Sequence, residues 1–289
     1  MESLEIALAQ AEREVSRRLK NPSALRPRQR EALLALAEGK NVFAGLPTGY
    51  GKSLCFWAPA AAWGWKVWVV SPLVSLIQDQ AAACASLGLE ARGWHSGLSA
   101  SQRDDWADDM EEGRVQLAFL SPERLYRWWE SGFVERLEAL GAGPNLLALD
   151  ELHCFESWRS FRAGFRDAFA PVKRLTARGV PLIGLSASLK RAEADTWMSE
   201  LCTGHVYIGA GLGRGNLRLR VVPLETEEER WIRLLELLKN APEGGSTLVY
   251  CATRAEADDL SRWLSSAGFP ACAYHAGLPS LTRKERGRA

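Results

Sequence analysis

The sequence predicts an α/β fold in which helices cover both faces of a parallel β-sheet. Short, almost entirely apolar runs alternate along the chain with amphipathic stretches. Apolar runs of this kind are typical of parallel strands, because both faces of such strands are buried. Regular alternation of strands with helices indicates an α/β domain with a parallel sheet covered on both faces.

The first part of the chain carries the elements of this sheet. A helix is predicted near the N-terminus, where charged and apolar residues alternate at helical spacing. The apolar runs predict strands at Val42–Leu46, Val67–Ser71, Val115–Leu120, Leu146–Leu149 and Leu182–Leu185. Between these strands, the periodicity predicts helices at Leu73–Leu87, Ala100–Glu112 and Arg191–Leu201.

A glycine-rich segment, residues 209–216, predicts a linker, because its glycines disfavour regular structure. Residues 1–208 would form the first domain and residues 217–289 the second. The elements predicted in the second domain are strands at Leu217–Val222, Thr247–Cys251 and Cys272–Tyr274 and helices at Glu227–Asn240 and Arg254–Ala267. They are too few for a complete α/β domain, so the sequence predicts an incomplete one.

Composition limits the classes of protein to which the chain can belong. The 289 residues include 36 Lys and Arg against 35 Asp and Glu, so a nucleic-acid surface would have to be local. The six cysteines lack paired zinc spacing and are predicted to be reduced. The sequence shows neither a signal peptide nor an apolar span of roughly 20 residues, so we expect a cytoplasmic protein without membrane contact.

A phosphate-binding loop is predicted between the first strand and the helix that follows it. Unpaired backbone amides in such a loop and at a helix N-terminus can surround phosphate oxygens. Lys52 would neutralise the β- and γ-phosphates, and Ser53 would bind Mg²⁺. The strict phosphate-loop pattern is not met, because Leu46 occupies the place of its first glycine and Gly45 lies one residue early. The predicted nucleotide ligands are Thr48, Gly49, Tyr50, Gly51, Lys52 and Ser53.

A pair of carboxylates, Asp150 and Glu151, follows the apolar strand Leu146–Leu149. Beside a phosphate loop, a strand-end aspartate typically holds Mg²⁺, and the next glutamate can polarise the attacking water. Taken alone, such a pair is more often the solvated start of a helix. Downstream of a phosphate loop it predicts the second half of a nucleotide site, with Ser53 and Asp150 on the metal.

These motifs resemble those of one family of nucleic-acid motors. Residues 150–153, Asp-Glu-Leu-His, resemble the DEAH-type box of superfamily 2 helicases, and residues 46–56, LPTGYGKSLCF, are similar to the first motif of RecQ helicases. An earlier segment resembles the adenine-reading motif of that family, in which Arg26 and Gln29 would hold the base. The resemblance implies a RecA-like domain followed by an incomplete second one, and it adds His153 to the catalytic residues.

Further segments match the family in order and imply contacts with DNA or coupling of hydrolysis to movement. Residues 71–80 resemble motif Ia, which lies along the nucleic-acid backbone, and residues 186–188 stand where the coupling motif is expected. Residues 249–254 and 274–278 resemble the opening motifs of the second motor domain. The residues assigned by these resemblances are Ser71, Gln78, Ser186, Ser188, Thr253, Arg254 and His275.

Residues 153–162 resemble the aromatic-rich loop with which RecQ helicases sense single-stranded DNA. An exposed tryptophan flanked by arginines offers a stacking face for bases and contacts for phosphates. The residues that would carry this role are Trp158, Arg159, Phe161 and Arg162. Core packing is the alternative for the tryptophan. The loop is one residue shorter than the family pattern, and Ser157 replaces a glutamine, which bears on how tightly DNA and ATP are coupled.

The resemblance implies an ATP-dependent 3′–5′ DNA helicase that serves recombination and repair, with ATP and Mg²⁺ as cofactors and single-stranded or forked DNA as partner. The family's fifth and sixth motifs, including the arginine finger, are missing from the sequence. We therefore expect a truncated motor that does not unwind alone, unless a protein partner or downstream segment supplies the finger. The alternatives are a nucleotide-gated DNA- or protein-binding module without productive catalysis, and a phosphate-loop kinase or GTPase, against which Gln29 and the acidic box argue.

Overall fold

The computed structural model describes residues 2–21, 25–95, 97–159, 169–209, 211, 217–242, 244–279, 282 and 285–286. The chain divides into two compact units, Met1–Leu217 and Arg218–Ala289. The first unit contains the sheet and the predicted phosphate loop. The described part of the second unit consists of helices and segments without regular structure.

The first unit is built on a sheet of seven parallel strands in the order β3-β4-β2-β5-β6-β1-β7. The strands are β1 Val42–Gly45, β2 Val67–Val70, β3 Ala91–Gly93, β4 Leu117–Leu120, β5 Leu146–Leu149, β6 Leu182–Ser186 and β7 Val206–Gly209. The five buried strands confirm the sequence prediction. The sequence pattern missed the edge strands β3 and β7, because most of their residues are partly exposed and neither is a fully buried apolar run.

Helices flank the sheet on both faces. Those described in the first unit are α1 Glu2–Leu19, α2 Pro27–Ala37, α3 Leu54–Trp63, α4 Val74–Ser86, α5 Ala100–Glu111, α6 Pro122–Glu130, α7 Phe133–Ala139, α8 Leu152–Arg159, α9 Phe169–Ala177 and α10 Arg191–Leu201. None of the helices that the structure describes is long and apolar enough to cross a membrane.

The core consists of two apolar layers, one on each face of the sheet. Val42 and Ala44 of β1 belong to the layer that contains residues of α1 to α4, whereas Phe43 belongs to the layer formed with α5 to α10. Successive side chains of a strand point to opposite faces, so a strand that is apolar throughout feeds both layers. This arrangement confirms the predicted fold class.

Tryptophans concentrate in the second of these layers. The ring centroids of Trp106 and Trp128 lie 4.9 Å apart, and Trp68 and Trp94 contact Trp128 at 5.8 and 6.0 Å. Trp68, Trp106 and Trp128 are nearly inaccessible to solvent. The high tryptophan content of the chain therefore serves core packing to a large extent.

The second unit contains α11 Glu227–Lys239 and α12 Arg254–Ser266, which contact each other through Trp231 and Trp263 with ring centroids 5.0 Å apart. The strands predicted at Leu217–Val222, Thr247–Cys251 and Cys272–Tyr274 are wrong for the described residues, since none of these segments pairs in a sheet. A strand exists only through hydrogen bonds to a neighbouring strand. Without that neighbour, apolar side chains such as Val221 and Tyr250 remain about nine-tenths exposed, at 95% and 89%.

Candidate active site

The predicted site residues of the first unit meet at the carboxyl edge of the sheet. The register pairs the ends of the central strands, Gly45 with Ser186 and Leu149 with Gly184. Backbone hydrogen bonds extend this order past the strand ends, from Leu46 N to the Ser186 carbonyl at 3.1 Å. The loops that follow β1, β5 and β6 therefore emerge side by side, which is the usual place for a ligand site in parallel α/β sheets.

The phosphate loop turns sharply between β1 and α3. Gly49 and Gly51 have backbone φ angles of +79° and +80°, a region that L-residues with a side chain rarely adopt. The Tyr50 amide donates to the Pro47 carbonyl at 3.1 Å, which closes the turn, and Ser53 precedes the first residue of α3. The loop thus leads directly into a helix N-terminus, and the positive end of the helix dipole there attracts anions.

Lys52 and Glu151 bring the two predicted halves of the site together. Lys52 Nζ lies 3.8 Å from Glu151 Oε1, and both side chains are largely shielded from solvent. Glu151 has a φ angle of +50°, which is costly for a non-glycine residue by about 1–2 kcal/mol. Strained backbone of this kind persists where the surrounding structure fixes it. With this φ angle, Glu151 departs from the extended path of β5, and its carboxylate lies near Lys52 of the phosphate loop.

Gln29 braces the phosphate loop from α2. Its Nε2 donates to the carbonyls of Tyr50 and Gly51, each at 2.8 Å, and its Oε1 accepts from the Arg26 amide at 2.7 Å. The Arg26 guanidinium donates to the Gly49 carbonyl at 3.1 Å and stacks over the Tyr50 ring at 4.9 Å. The pair assigned to adenine therefore contacts the loop that would hold the phosphates.

His153 connects the acidic box to the end of β6. Its Nδ1 lies 3.2 Å from Ser186 Oγ and 3.5 Å from Glu151 Oε2, and its Nε2 lies 3.4 Å from Cys154 Sγ. Ser186 Oγ also accepts from the amides of Ser188 and Leu189 at 3.2 Å. Burial, together with the nearby carboxylates of the acidic box, raises the pKa of the Cys154 thiol, so it stays protonated.

Asp150 is almost fully buried, and each of its carboxylate oxygens accepts one hydrogen bond. Oδ1 accepts from the Glu151 amide at 3.0 Å, and Oδ2 accepts from Gln80 Nε2 at 2.7 Å. Sequence reasoning did not assign a role to Gln80. The position of Gln80 on the helix after β2 could have indicated this contact, because β2 pairs with β5 and the carboxyl ends of the two strands adjoin.

The donor set suits Mg²⁺ bound together with phosphates. Asp150 and Ser53 offer a carboxylate and a hydroxyl, the hard oxygen ligands that this ion prefers, and Mg²⁺ typically takes only one or two protein ligands alongside phosphate and water. Within the described residues, no group of three or more His, Cys, Asp and Glu side chains could hold a metal ion without such help.

The residues predicted to contact DNA are placed less completely. Ser71 is fully buried at the end of β2, and Gln78 is exposed on α4. The backbone of Trp158 and Arg159 belongs to α8, but their side chains lie outside the described part of the structure, as do residues 160–168 with Phe161 and Arg162.

In the second unit, the predicted motor residues take part in local structure. The Thr253 hydroxyl accepts from the Glu256 amide at 3.1 Å and caps α12, and Arg254 follows it on the exposed first turn. His275 Nε2 lies 3.0 Å from Asp258 Oδ1 on the same helix. The first contact caps the N-terminus of α12 and the second joins the middle of the helix to His275, so both have a structural role.

Comparison with known proteins identifies a helicase family model and helicase relatives that cover the residues of this site. The family model described as "DEAD/DEAH box helicase" matches residues 26–196, more than half of the chain. The ATP-dependent DNA helicase RecQ of Pasteurella multocida is 27% identical over 289 residues, covering 99% of this chain and 44% of the relative. The RecQ helicase of Bacillus subtilis is 31% identical over 264 residues, covering 89% of this chain and 42% of the relative. The chain thus spans less than half the length of these relatives.

Solved structures show the same fold. The DNA-bound crystal structure of the DUF1998 helicase MrfA superposes with a TM-score of 0.69 at 14% identity, covering 96% of this chain and 42% of that one. The helicase Lhr of Mycobacterium smegmatis, bound to single-stranded DNA and AMP-PNP, superposes with a TM-score of 0.64 at 19% identity, covering 92% and 38%. The fold, the matched family model and the order of the motifs agree, and the chain is a RecQ-like member of the DEAD/DEAH box helicase family.

Proposed function

We propose that this chain binds ATP with Mg²⁺ and hydrolyses it in response to single-stranded DNA, as part of an ATP-dependent DNA helicase. The observation that carries the proposal is the approach of Lys52 to Glu151, 3.8 Å apart at the carboxyl edge of the sheet. A cation for the phosphates and a carboxylate for the attacking water are two of the groups that nucleotide hydrolysis requires.

Each residue of the site has a role that its surroundings support. The loop amides from Thr48 to Ser53 would bind the phosphates, and Lys52 would neutralise their charge. Ser53 and Asp150 would hold Mg²⁺, which supplies charge neutralisation at the β- and γ-phosphates. Glu151 would orient and polarise the water. Glu151 also contacts His153, which contacts Ser186 at the end of β6, so a change at Glu151 during hydrolysis would reach that strand end.

We infer a coupling route from His153 and Ser186. Ser186 Oγ accepts from two backbone amides, at Ser188 and Leu189, so its proton is available for His153 Nδ1. A change at the acidic box would thus reach residues 186–188, where the coupling motif is expected. The domain division at residues 208 and 217, 3′–5′ polarity and a role in recombination or repair are further parts of this proposal, supported by the resemblance to RecQ helicases.

The test is ATP hydrolysis with and without single-stranded DNA, followed by unwinding of duplexes with a 3′ or a 5′ tail. We expect hydrolysis that DNA stimulates. We also expect no strand separation by this sequence alone, because it contains no sixth motif with an arginine finger. Hydrolysis that DNA leaves unchanged would refute the coupling proposal, and unwinding of the 3′-tailed duplex would refute only the dependence on a supplied finger.

A second candidate function is a nucleotide-gated DNA- or protein-binding module without productive catalysis. It is favoured by the engagement of Glu151 with both Lys52 and His153, which occupies the carboxylate that would polarise water. Binding of a fluorescent ATP analogue that changes the affinity for single-stranded DNA, with no turnover, would support this candidate over the motor.

A further inference from the structure

Gln80 lies on α4 and reaches the acidic end of β5 across the sheet edge. α4 begins shortly after β2, and β2 pairs with β5 so that Val70 lies beside Leu149. Gln80 is two residues from the exposed Gln78, which is a rotation of about 200° around a helix, so the two glutamines point to different sides. Gln80 therefore faces the site while its neighbour faces solvent.

The orientation of the Gln80 amide follows from its partner. The Asp150 carboxylate accepts hydrogen bonds, so the amide nitrogen must face it, and Nε2 lies 2.7 Å from Oδ2. The other end of the amide, Oε1, is buried and has no hydrogen-bond partner among the described residues. Buried polar atoms are almost always satisfied, so an unpaired acceptor beside Asp150, the proposed metal ligand, calls for a donor that the described residues do not provide.

The burial and the hydrogen bonds of Asp150 leave it free to bind a cation. It is only 3% exposed, and each oxygen accepts a single hydrogen bond, one from Glu151 and one from Gln80. A carboxylate oxygen has room for more than one partner, so both oxygens keep capacity for a cation. Groups that hydrogen-bond to a metal ligand fix its direction and alter its affinity for the metal.

We propose that Gln80 is a positioning residue for Mg²⁺: its Nε2 holds Asp150 in the ligating direction, and its Oε1 accepts a hydrogen bond from a water molecule of the metal's coordination shell. Mg²⁺ usually keeps several waters, which are hydrogen-bond donors. This proposal rests on the proposed function, because it requires that Asp150 holds Mg²⁺ with a bound nucleotide.

The experiment measures the affinity of the whole chain for a fluorescent, non-hydrolysable ATP analogue, once with Mg²⁺ and once with EDTA. The variants are Gln80→Ala and Gln80→Met, the second of which roughly keeps the volume of the side chain but has no donor and only a weakly accepting sulfur. We expect both variants to lose about tenfold or more of the gain in affinity that Mg²⁺ gives the wild type. Their affinity in EDTA should equal that of the wild type.

Asp79→Asn is the matched control, since Asp79 is an exposed neighbour on the same helix and should keep the full Mg²⁺ gain. A wild-type Mg²⁺ gain in both Gln80 variants would overturn the proposal. So would an equal loss of affinity with and without Mg²⁺, because Gln80 would then support the fold or the loop rather than the metal. If the wild type binds no analogue under either condition, the nucleotide site itself fails, which is a distinguishable result.

Discussion

At Gly51 the backbone conformation and the packing both disfavour a side chain. Its φ angle is +80°, and a Cβ atom there would lie 2.8 Å from Gln29 Nε2. Gly49 has nearly the same φ angle, +79°, but a Cβ atom there would meet nothing within 4 Å. Alanine substitutions at the two glycines therefore distinguish two free-energy costs, that of the backbone conformation and that of displacing the Gln29 side chain from the loop.

We predict that Gly51→Ala lowers both the free energy of unfolding and the affinity for ATP more than Gly49→Ala does. The backbone penalty is about 1–2 kcal/mol for either variant, and only Gly51→Ala also displaces the Gln29 amide. Denaturant unfolding and ATP titration of both variants measure the difference. Equal effects of the two substitutions would show that Gln29 does not support the loop.

At the residue scale, the sequence predicts only that Lys52 and Glu151 lie at the same edge of the sheet, because both follow the carboxyl ends of parallel strands. Their approach to 3.8 Å also depends on the strand order, in which only β6 lies between β1 and β5. The Gln80–Asp150 hydrogen bond could not be predicted in this way, because it depends on which face of α4 turns towards β5. The contacts of Gln29 with the Tyr50 and Gly51 carbonyls were likewise missed, since the motif resemblance points to the base and not to the loop.

Among the elements, α8 links the acidic box to the stretch that resembles the DNA-sensing loop. It begins at Leu152, directly after Glu151, and extends to Arg159. Leu152 and Phe155 are fully buried, so the first turns of the helix are anchored in the core. A structural change at the C-terminal end of α8 can therefore be transmitted to Asp150 and Glu151 through a short helix that is anchored in the core.

We predict that Trp158→Ala leaves ATP affinity unchanged but weakens the stimulation of hydrolysis by single-stranded DNA, by about tenfold if one stacking contact of 1–3 kcal/mol is lost. Trp129→Ala, on the partly buried side of α6, is the control that should keep the stimulation. If single-stranded DNA stimulates hydrolysis by Trp158→Ala as strongly as by the wild type, this tryptophan has a core-packing role instead.

Element prediction was accurate for the buried strands and failed elsewhere for two physical reasons. A run such as Leu146–Leu149 is apolar throughout because both faces are covered, and that pattern is readable. The edge strands β3 and β7 are half covered and lack it. In the second unit the apolar runs are present, but a strand also needs a paired neighbour, which a local pattern does not report.

For the whole molecule, the two units differ in how their backbone amides are satisfied. The central strands of the first unit are hydrogen-bonded on both sides, as β5 is between β2 and β6. The segments 218–222 and 247–251 of the second unit have no sheet partner among the described residues.

We predict that hydrogen exchange of the intact chain separates these regions. Amides of β1, β5 and β6 should exchange about a hundredfold or more slowly than those of residues 218–222 and 247–251, because exchange in a core strand requires extensive unfolding. Mass spectrometry of peptides from the exchanged protein measures this. Protection of residues 247–251 equal to that of β5 would mean that this segment is paired in solution.

The proposed function depends above all on the loop from Thr48 to Ser53, which would hold the phosphates of ATP with Lys52 as their cation. Calorimetric titration of the chain with ATP and Mg²⁺ measures this in the wild type, in Lys52→Ala and in the control Lys40→Ala. Lys40 belongs to the same unit but precedes β1 at its opposite end and pairs with Glu38. We predict that Lys52→Ala weakens ATP binding about a hundredfold, equivalent to about 3 kcal/mol, while Lys40→Ala binds normally. Equal affinity of wild type and Lys52→Ala would contradict the assignment.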